Sequence, residues 1–312
     1  MPGTPPTRFA YLGPEGTFAE AALSSAVASS GGTRFPCPSV AAALAAVRSG
    51  EADAGLVPLE NSVEGSVPAT MDGLRDGDSL VITREVFLDV AFVLVARPGV
   101  SRAQIRTVAS HPHALAQCAR WLSASLPGAA LLPETSTAGA AEAVAAGRYD
   151  AAVCAAIAGE RNRLATLAAD IADHPGAVTR FVLVRRPGQL PSPTGNDKTS
   201  LVAVVGDRTG ALLSVLSEFA VRDISLTRIE SRPTRERLGV YSFSLDCEGH
   251  VAERRVGEAL AALHRVCDEV RFLGSYQRAD ERSNCSVPDT AVDAAFADAD
   301  AWLGRVRAGE AV

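Results

Sequence analysis

A stretch rich in proline and glycine, residues 186–198, separates two parts of the chain with different hydrophobic patterns. It contains three prolines and two glycines and has no apolar periodicity, which is typical of a linker. The 312 residues also exceed what one hydrophobic core usually organises. The sequence therefore predicts one domain over residues 8–185 and a second over residues 199–278, followed by a tail over residues 279–312.

The first part alternates short apolar runs with alanine-rich stretches at helical spacing, which predicts an α/β fold. The predicted strands are Arg8–Leu12, Ala54–Leu59, Ala91–Ala96, Thr107–Ala109, Ala151–Cys154 and Phe181–Val184. The predicted helices are Phe18–Ser29, Val40–Ser49, Ala114–Leu122 and Ala138–Ala146. The loop before the first helix has Thr17 and Glu20 at the spacing of a capping box, and it lacks the residues of a nucleotide-binding loop.

The second part predicts a βαββαβ order, which is the ferredoxin-like arrangement. Its elements are the strand Thr199–Val205, the helix Gly210–Val221, the strands Ile224–Glu230 and Val240–Asp246, the helix Val251–Val266 and the strand Val270–Leu273. In the tail, apolar residues recur every three or four positions from Val292 to Val306, which predicts an amphipathic helix.

The composition argues against several functions. The net charge of −6 gives no basic surface for nucleic acid, and no apolar run is long enough to span a membrane, so we expect a cytoplasmic protein. The six cysteines show no C-x-x-C spacing, which predicts neither a metal site nor disulfides. The only lysine, Lys198, lies in the predicted linker, so covalent amine catalysis is not expected.

Six short segments of the chain together carry a family resemblance. The four segments before the linker are Tyr11–Phe18 (YLGPEGTF), Val57–Ser62 (VPLENS), Ser110–Cys118 (SHPHALAQC) and Thr179–Phe181 (TRF). The two segments after it are Gly210–Leu213 (GALL) and Glu230–Pro233 (ESRP). In this order they resemble the prephenate dehydratases with a C-terminal ACT domain, and six segments in the expected order are far more specific than any one of them.

The resemblance implies a catalytic domain of two α/β lobes, similar to a type II periplasmic binding protein, and an ACT domain of ferredoxin-like fold. Lobe one would comprise residues 8–84 and 165–185, and lobe two residues 85–164. The implied activity is the decarboxylating dehydration of prephenate to phenylpyruvate, without metal or other cofactor. An arogenate dehydratase and a non-catalytic amino-acid-responsive binding protein remain as alternatives.

The matching positions give candidate site residues. The resemblance implies catalytic roles for Thr179 and Asn61, with Glu60 as a possible source of the proton. The implied substrate-binding residues are Ser62, Ser110, Gln117, Ser136, Thr137, Arg180 and Phe181. For Arg180 a salt bridge is the alternative role, for Phe181 a place in the core, and for Ser110 a plain helix cap. Ser110 and Gln117 are seven residues apart, a spacing that predicts similar faces of one helix.

The ACT segments imply L-phenylalanine as an allosteric effector and a homodimer or homotetramer as the assembly. The implied effector-binding residues are Gly210, Ala211, Leu212, Leu213, Glu230, Ser231, Arg232 and Pro233. Asp223 and Ser225 stand where the family commonly has glycine and asparagine. This departure leaves the preferred amino acid and the strength of its control open.

Overall fold

The computed structural model describes residues 7–27, 31–174, 176–234, 240–280 and 282–310. The chain forms two compact units. The first consists of the residues up to Gly73 together with Val86–Arg186, and the second of Leu74–Glu85 together with the residues from Pro187 onward. The predicted lobe one extends without interruption to residue 84, whereas residues 74–85 group with the second unit.

Among the described residues, the first unit contains eleven strands and seven helices, some of them only in part. The strands are β1 (Thr7–Leu12), β2 (Gly32–Cys37), β3 (Ala54–Asn61), β4 (Gly65–Ser66), β5 (Val81–Asp89), β6 (Val93–Ala96), β7 (Thr107–Ser110), β8 (Ala130–Pro133), β9 (Ala151–Cys154), β10 (Ala165–Ala168) and β11 (Val178–Arg185). The helices are α1 (Phe18–Ala26), α2 (Val40–Ser49), α3 (Pro68–Arg75), α4 (Pro112–Gln117), α5 (Ala119–Ser125), α6 (Thr137–Ala145) and α7 (Ala156–Arg161).

These strands form two sheets, one in each lobe. Lobe one has the strand order β2-β1-β3-β11-β5, with β4 paired to β3, and lobe two has the order β10-β6-β9-β7-β8. The chain enters lobe two after β5 and returns through β11, which pairs antiparallel with β3. This arrangement confirms the predicted two-lobed α/β fold.

The predicted elements differ from the observed ones mainly where apolar runs are short. The predicted helix Ala114–Leu122 is two helices, because Cys118 leaves helical geometry between α4 and α5. The predicted helix Phe18–Ser29 ends at Ala26, and residues 28–30 lie outside the described residues. The sequence analysis missed the strands β2, β4, β5, β8 and β10 and the helices α3 and α7.

The second unit confirms the predicted βαββαβ order. Its elements are β12 (Asp197–Val205), α8 (Ala211–Ala220), β13 (Leu226–Pro233), β14 (Tyr241–Glu248), α9 (Arg254–Val266) and β15 (Glu269–Gln277). They form one antiparallel sheet in the order β13-β14-β12-β15, with β13 at an edge.

The tail of the chain contains the predicted helix, α10 (Asp293–Arg307). It is held to α9 by Arg254, whose backbone N–H donates to Asp293 and whose guanidinium pairs with Asp300 at 2.7 Å. Within the described part of the chain, none of the helices combines the length and apolar character that crossing a membrane requires.

Lys198 is not part of a linker, contrary to the sequence prediction. β12 begins at Asp197, and the Lys198 side chain is buried within the second unit. Its Nζ lies 3.0 Å from Oε1 of Glu85 and 3.0 Å from Oδ2 of Asp280. Asp280 also accepts from Nε of Arg278 at 2.7 Å. A buried ammonium is tolerated here because two carboxylates neutralise it.

Replacing Asp280 by asparagine should destabilise the protein more at neutral pH than at acidic pH. Burial alone would raise the pKa of Asp280, but hydrogen bonds from Arg278 and Lys198 outweigh it and lower the pKa from 3.8 to about 2. Because the folded pKa lies below the unfolded value, this stabilisation is present above about pH 4 and is lost as the pH falls towards about 2. For Asp280→Asn we expect the free energy of unfolding to fall by roughly 2 kcal/mol at neutral pH.

Urea denaturation at neutral pH and at about pH 3 measures this difference. Asp207→Asn, at an exposed position of the same unit, is the matched control and should change stability little at either pH. An equal loss of stability for Asp280→Asn at both pH values would contradict the account.

Candidate active site

Asn61 and Thr179 meet at the end of the β3–β11 pair. The antiparallel register places Thr179 directly opposite Asn61, and Nδ2 of Asn61 donates to Oγ1 of Thr179 at 2.8 Å. Both residues line a cavity of about 430 Å³ between the two lobes of the first unit. The pairing therefore brings an amide and a hydroxyl together on the wall of the cleft.

The orientation of the Asn61 amide is fixed by the turn that follows β3. Its Oδ1 accepts from the backbone N–H groups of Val63 at 2.8 Å and Glu64 at 3.1 Å. Since this oxygen faces two donors, the nitrogen must face Thr179. The Thr179 oxygen is thus an acceptor for Asn61, and its own proton can be donated to a molecule in the cleft.

Glu60 and Arg180 lie outside the lining of the cavity, unlike their neighbours Asn61 and Thr179. Oε1 of Glu60 pairs with Nη1 of buried Arg180 at 3.0 Å, a bridge between adjacent strands of one sheet. Successive residues of a strand face opposite sides, which explains the separation. The structure therefore gives no support to Glu60 as the proton source or to Arg180 as a substrate ligand. Phe181, two residues after Thr179, does line the cavity.

Two of the predicted serines, Ser62 and Ser110, support the site instead of lining it. Ser110 is fully buried at the end of β7, and its Oγ donates to the carbonyl oxygen of Val153 at 2.6 Å. Ser62 extends the β3–β11 pairing, because its Oγ accepts from the backbone N–H of Val178 at 2.9 Å. Gln117, at the end of α4, lines the cavity. The structure does not bring Ser110 and Gln117 together on the cavity wall, because the Ser110 hydroxyl points into lobe two, and their contact with one ligand stays a prediction.

Two ionisable side chains of the cavity wall, Glu64 and His113, lie close to Gln117. Glu64 of lobe one accepts from Nε2 of Gln117 at 2.7 Å and pairs with Nδ1 of His113 at 2.8 Å. The His113 ring stands edge-on to that of His111, with centroids 4.9 Å apart. Burial, and then the neighbouring His113, lowers the pKa of His111, which favours its neutral form. Sequence reasoning missed Glu64, although it lies three residues after Asn61.

The N-terminus of α6 forms another part of the wall. Ser136 is the N-cap, and its side chain accepts from the backbone N–H of Gly139 at 2.9 Å. Ser136 and Thr137 line the cavity as the resemblance implies, and Thr135, which the sequence analysis did not single out, lies beside them.

The predicted capping box at α1 is wrong. The side chain of Thr17 makes no cap hydrogen bond and donates to the carbonyl oxygen of Leu12 at 3.1 Å. Glu20 accepts from the backbone N–H of Gly16 at 2.6 Å and pairs with Arg161 of lobe two. Arg161 also pairs with Glu15 at 2.6 Å, so this end of the cleft is held by ion pairs between the lobes.

A cysteine nucleophile does not fit the site. Cys118 is fully buried in the core of lobe two, and burial raises the pKa of its thiol to about 12. Among the described residues, no cluster of three or more histidine, cysteine or acidic side chains is arranged to hold a metal ion.

The predicted effector-binding residues lie on two elements of the second unit. Gly210 is the N-cap of α8 and has a left-handed backbone, with φ of 79°. Leu213 on α8 is 66% exposed, and Ile229 on the edge strand β13 is 48% exposed. The segment Glu230–Pro233 ends β13, where residues alternate in exposure. Nothing in this geometry identifies a bound molecule, so the effector site stays a prediction.

The structure combines a cleft between two α/β lobes with a βαββαβ domain, and the described lining of the cleft contains no lysine or arginine. These features define a class of regulated small-molecule enzymes or binding proteins. The chain belongs to the prephenate dehydratase family, whose profile matches residues 9–189. The ACT domain profile matches residues 199–265.

Two of the similar proteins are named prephenate dehydratases, and a third is described differently. The chain is 53% identical over 293 residues to the prephenate dehydratase of Mycolicibacterium vanbaalenii, covering 90% of this chain and 92% of the relative. A crystal structure of the prephenate dehydratase of Arthrobacter aurescens in complex with L-Phe is 47% identical, with a TM-score of 0.89, covering 96% of this chain and 99% of that one. A third similar structure, GqqA, described as a novel type of quorum quenching acylase, is 32% identical, with a TM-score of 0.79 over 88% of this chain and 98% of that one.

Proposed function

We propose that the chain converts prephenate to phenylpyruvate, carbon dioxide and water. The observation that carries the proposal is the Asn61–Thr179 pair on the wall of the cleft, with the two side chains joined at 2.8 Å. The similarity to named prephenate dehydratases supports the substrate. It exceeds the similarity to the acylase, at 53% against 32% identity.

In this reaction the bond to the ring carboxylate and the bond to the ring hydroxyl both break. The electrons of the first bond enter the ring and carbon dioxide leaves. The hydroxyl departs as water after gaining one proton, which reaches it from solvent through the Thr179 hydroxyl. The Thr179 hydroxyl accepts from Asn61 and donates towards the leaving oxygen, where negative charge develops. Aromatisation of the ring supplies the driving force, so the residues need only position the substrate and stabilise this charge.

The remaining wall suits the same reaction. Because none of its described residues is a lysine or arginine, the departing ring carboxylate meets no permanent cation that would hold it back. We assign substrate contacts to Gln117, Ser136, Thr137 and Phe181. Four other predicted residues act by positioning the strands and helices that carry these contacts, namely Ser62, Ser110, Glu60 and Arg180.

Incubating the purified protein with prephenate and, separately, with arogenate tests the proposal. We expect phenylpyruvate to appear without added cofactor, and we expect kcat/KM to be higher for prephenate than for arogenate. Thr179→Ala, purified identically, controls for contaminating activity and should be slower by about 10²–10⁴-fold. Preference for arogenate would favour an arogenate dehydratase, and prephenate binding without product would favour a non-catalytic binding protein.

For regulation, we propose that L-phenylalanine binds the ACT domain and that the protein is a homo-oligomer, a dimer or a tetramer. The L-Phe complex of the Arthrobacter relative, at 47% identity, supports the ligand. The exposed edge strand β13, which carries Ile229, and the exposed Leu213 of α8 support association of subunits through this domain.

Asp223 adopts a left-handed backbone with φ of 52°, the conformation that a glycine would adopt most readily. The cytoplasmic location stays a prediction.

L-Phenylalanine should change the rate of prephenate turnover at concentrations at which D-phenylalanine does not. The two enantiomers have the same hydrophobic area, so they are distinguished only by a site that fixes the orientation of the amino acid. Steady-state rates and isothermal titration calorimetry measure the effect and the binding. Equal responses to both enantiomers, or none to either, would contradict phenylalanine control.

A further inference from the structure

The side-chain carboxylate of Glu64 contacts two hydrogen-bond donors in the cleft. Oε1 of Glu64 lies 2.7 Å from Nε2 of Gln117, and Oε2 lies 2.8 Å from Nδ1 of His113. Both donors belong to α4 of lobe two, whereas Glu64 follows β3 of lobe one. Two donors that hold the two oxygens of one carboxylate have the geometry of a carboxylate-binding site.

Side chains that can carry a positive charge are scarce in the cleft. Its described lining contains no lysine or arginine, and His111 and His113 are the side chains there that can become cationic. His111 offers its Nδ1 to the backbone N–H of His113 at 3.3 Å, so that nitrogen acts as an acceptor. A substrate with two carboxylates therefore finds a ring N–H donor at Nδ1 of His113, with the amide of Gln117 beside it.

Glu64 can leave this site without disturbing the turn that carries it. Its backbone N–H is held by Oδ1 of Asn61 at 3.1 Å, while its side chain is 40% exposed. Rotation of the side chain into water costs little, because ion pairs between exposed side chains contribute little to stability. The Asn61–Thr179 contact stays in place during such a rotation.

We propose that Nε2 of Gln117 and Nδ1 of His113 bind the pyruvyl carboxylate of the substrate, and that Glu64 competes with the substrate for these two donors. The inference rests on the proposed function. The pyruvyl carboxylate is the one that remains in the product. Strong donors on the ring carboxylate would instead stabilise the group that must leave and would slow the reaction.

This assignment makes Glu64 a competitor of the substrate. If Glu64 instead served only to hold the two lobes together, removing its charge would weaken ligand binding. If Glu64 competes with the substrate, removing its charge would strengthen ligand binding. Glu64→Gln keeps the volume of the side chain and removes its charge, so it separates the two roles. Glu51→Gln removes an exposed carboxylate before β3, at the strand end opposite Asn61, and is the matched control.

The experiment measures the KM for prephenate and, by calorimetry, the dissociation constant of phenylpyruvate, which retains only the pyruvyl carboxylate. For Glu64→Gln we expect both values to fall by about two- to fivefold, as expected for loss of an exposed ion pair. Adding His113→Ala to this variant should abolish the gain for both ligands. Glu51→Gln should leave both values at those of the wild type.

Weaker or unchanged binding of both ligands by Glu64→Gln would overturn the proposal. An improvement confined to prephenate would overturn the assignment to the pyruvyl carboxylate, because phenylpyruvate lacks the ring carboxylate. If no variant turns over prephenate, the proposed function fails. The phenylpyruvate dissociation constants still decide whether Glu64 competes for the site.

Discussion

The antiparallel pairing of β11 with β3 is the constraint on which the site depends. β11 brings the chain back from lobe two into the sheet of lobe one, and its register sets Thr179 opposite Asn61. A shift of β11 by one residue would turn Thr179 to the other face of the sheet, where Glu60 and Arg180 now pair, and would separate it from Asn61. The pairing that joins β11 to the sheet of lobe one therefore also brings Thr179 and Asn61 together.

The cleft combines this fixed pair with a wall of mainly neutral donors. The amide of Asn61 is held by two backbone N–H groups, and the helix α6 begins at the wall with Ser136 as its cap. Such groups need not reorganise when charge develops on the leaving oxygen. The ionisable side chains of the wall are Glu64, His111 and His113. In the proposed binding mode, the pyruvyl carboxylate of the substrate replaces the carboxylate of Glu64 at this place.

The sequence predicted the architecture better than the details of the site. The βαββαβ order could be read from periodicity because each of its elements is long, whereas β2 is mostly exposed and carries a weak apolar signal. Asn61, Thr179 and Gln117 were identified by resemblance to a family. The pairing of Glu60 with Arg180 depends on strand register, and the burial of Lys198 depends on Glu85, more than one hundred residues away. No local pattern reports such distant partners.

The central claim is that Asn61 and Thr179 act as one unit. A double-mutant cycle on kcat with Asn61→Ala, Thr179→Ala and the double variant tests it most directly. If Asn61 acts by holding the Thr179 oxygen, the double variant should be no slower than the slower single variant. A double variant whose loss equals the product of the two single losses would contradict the account.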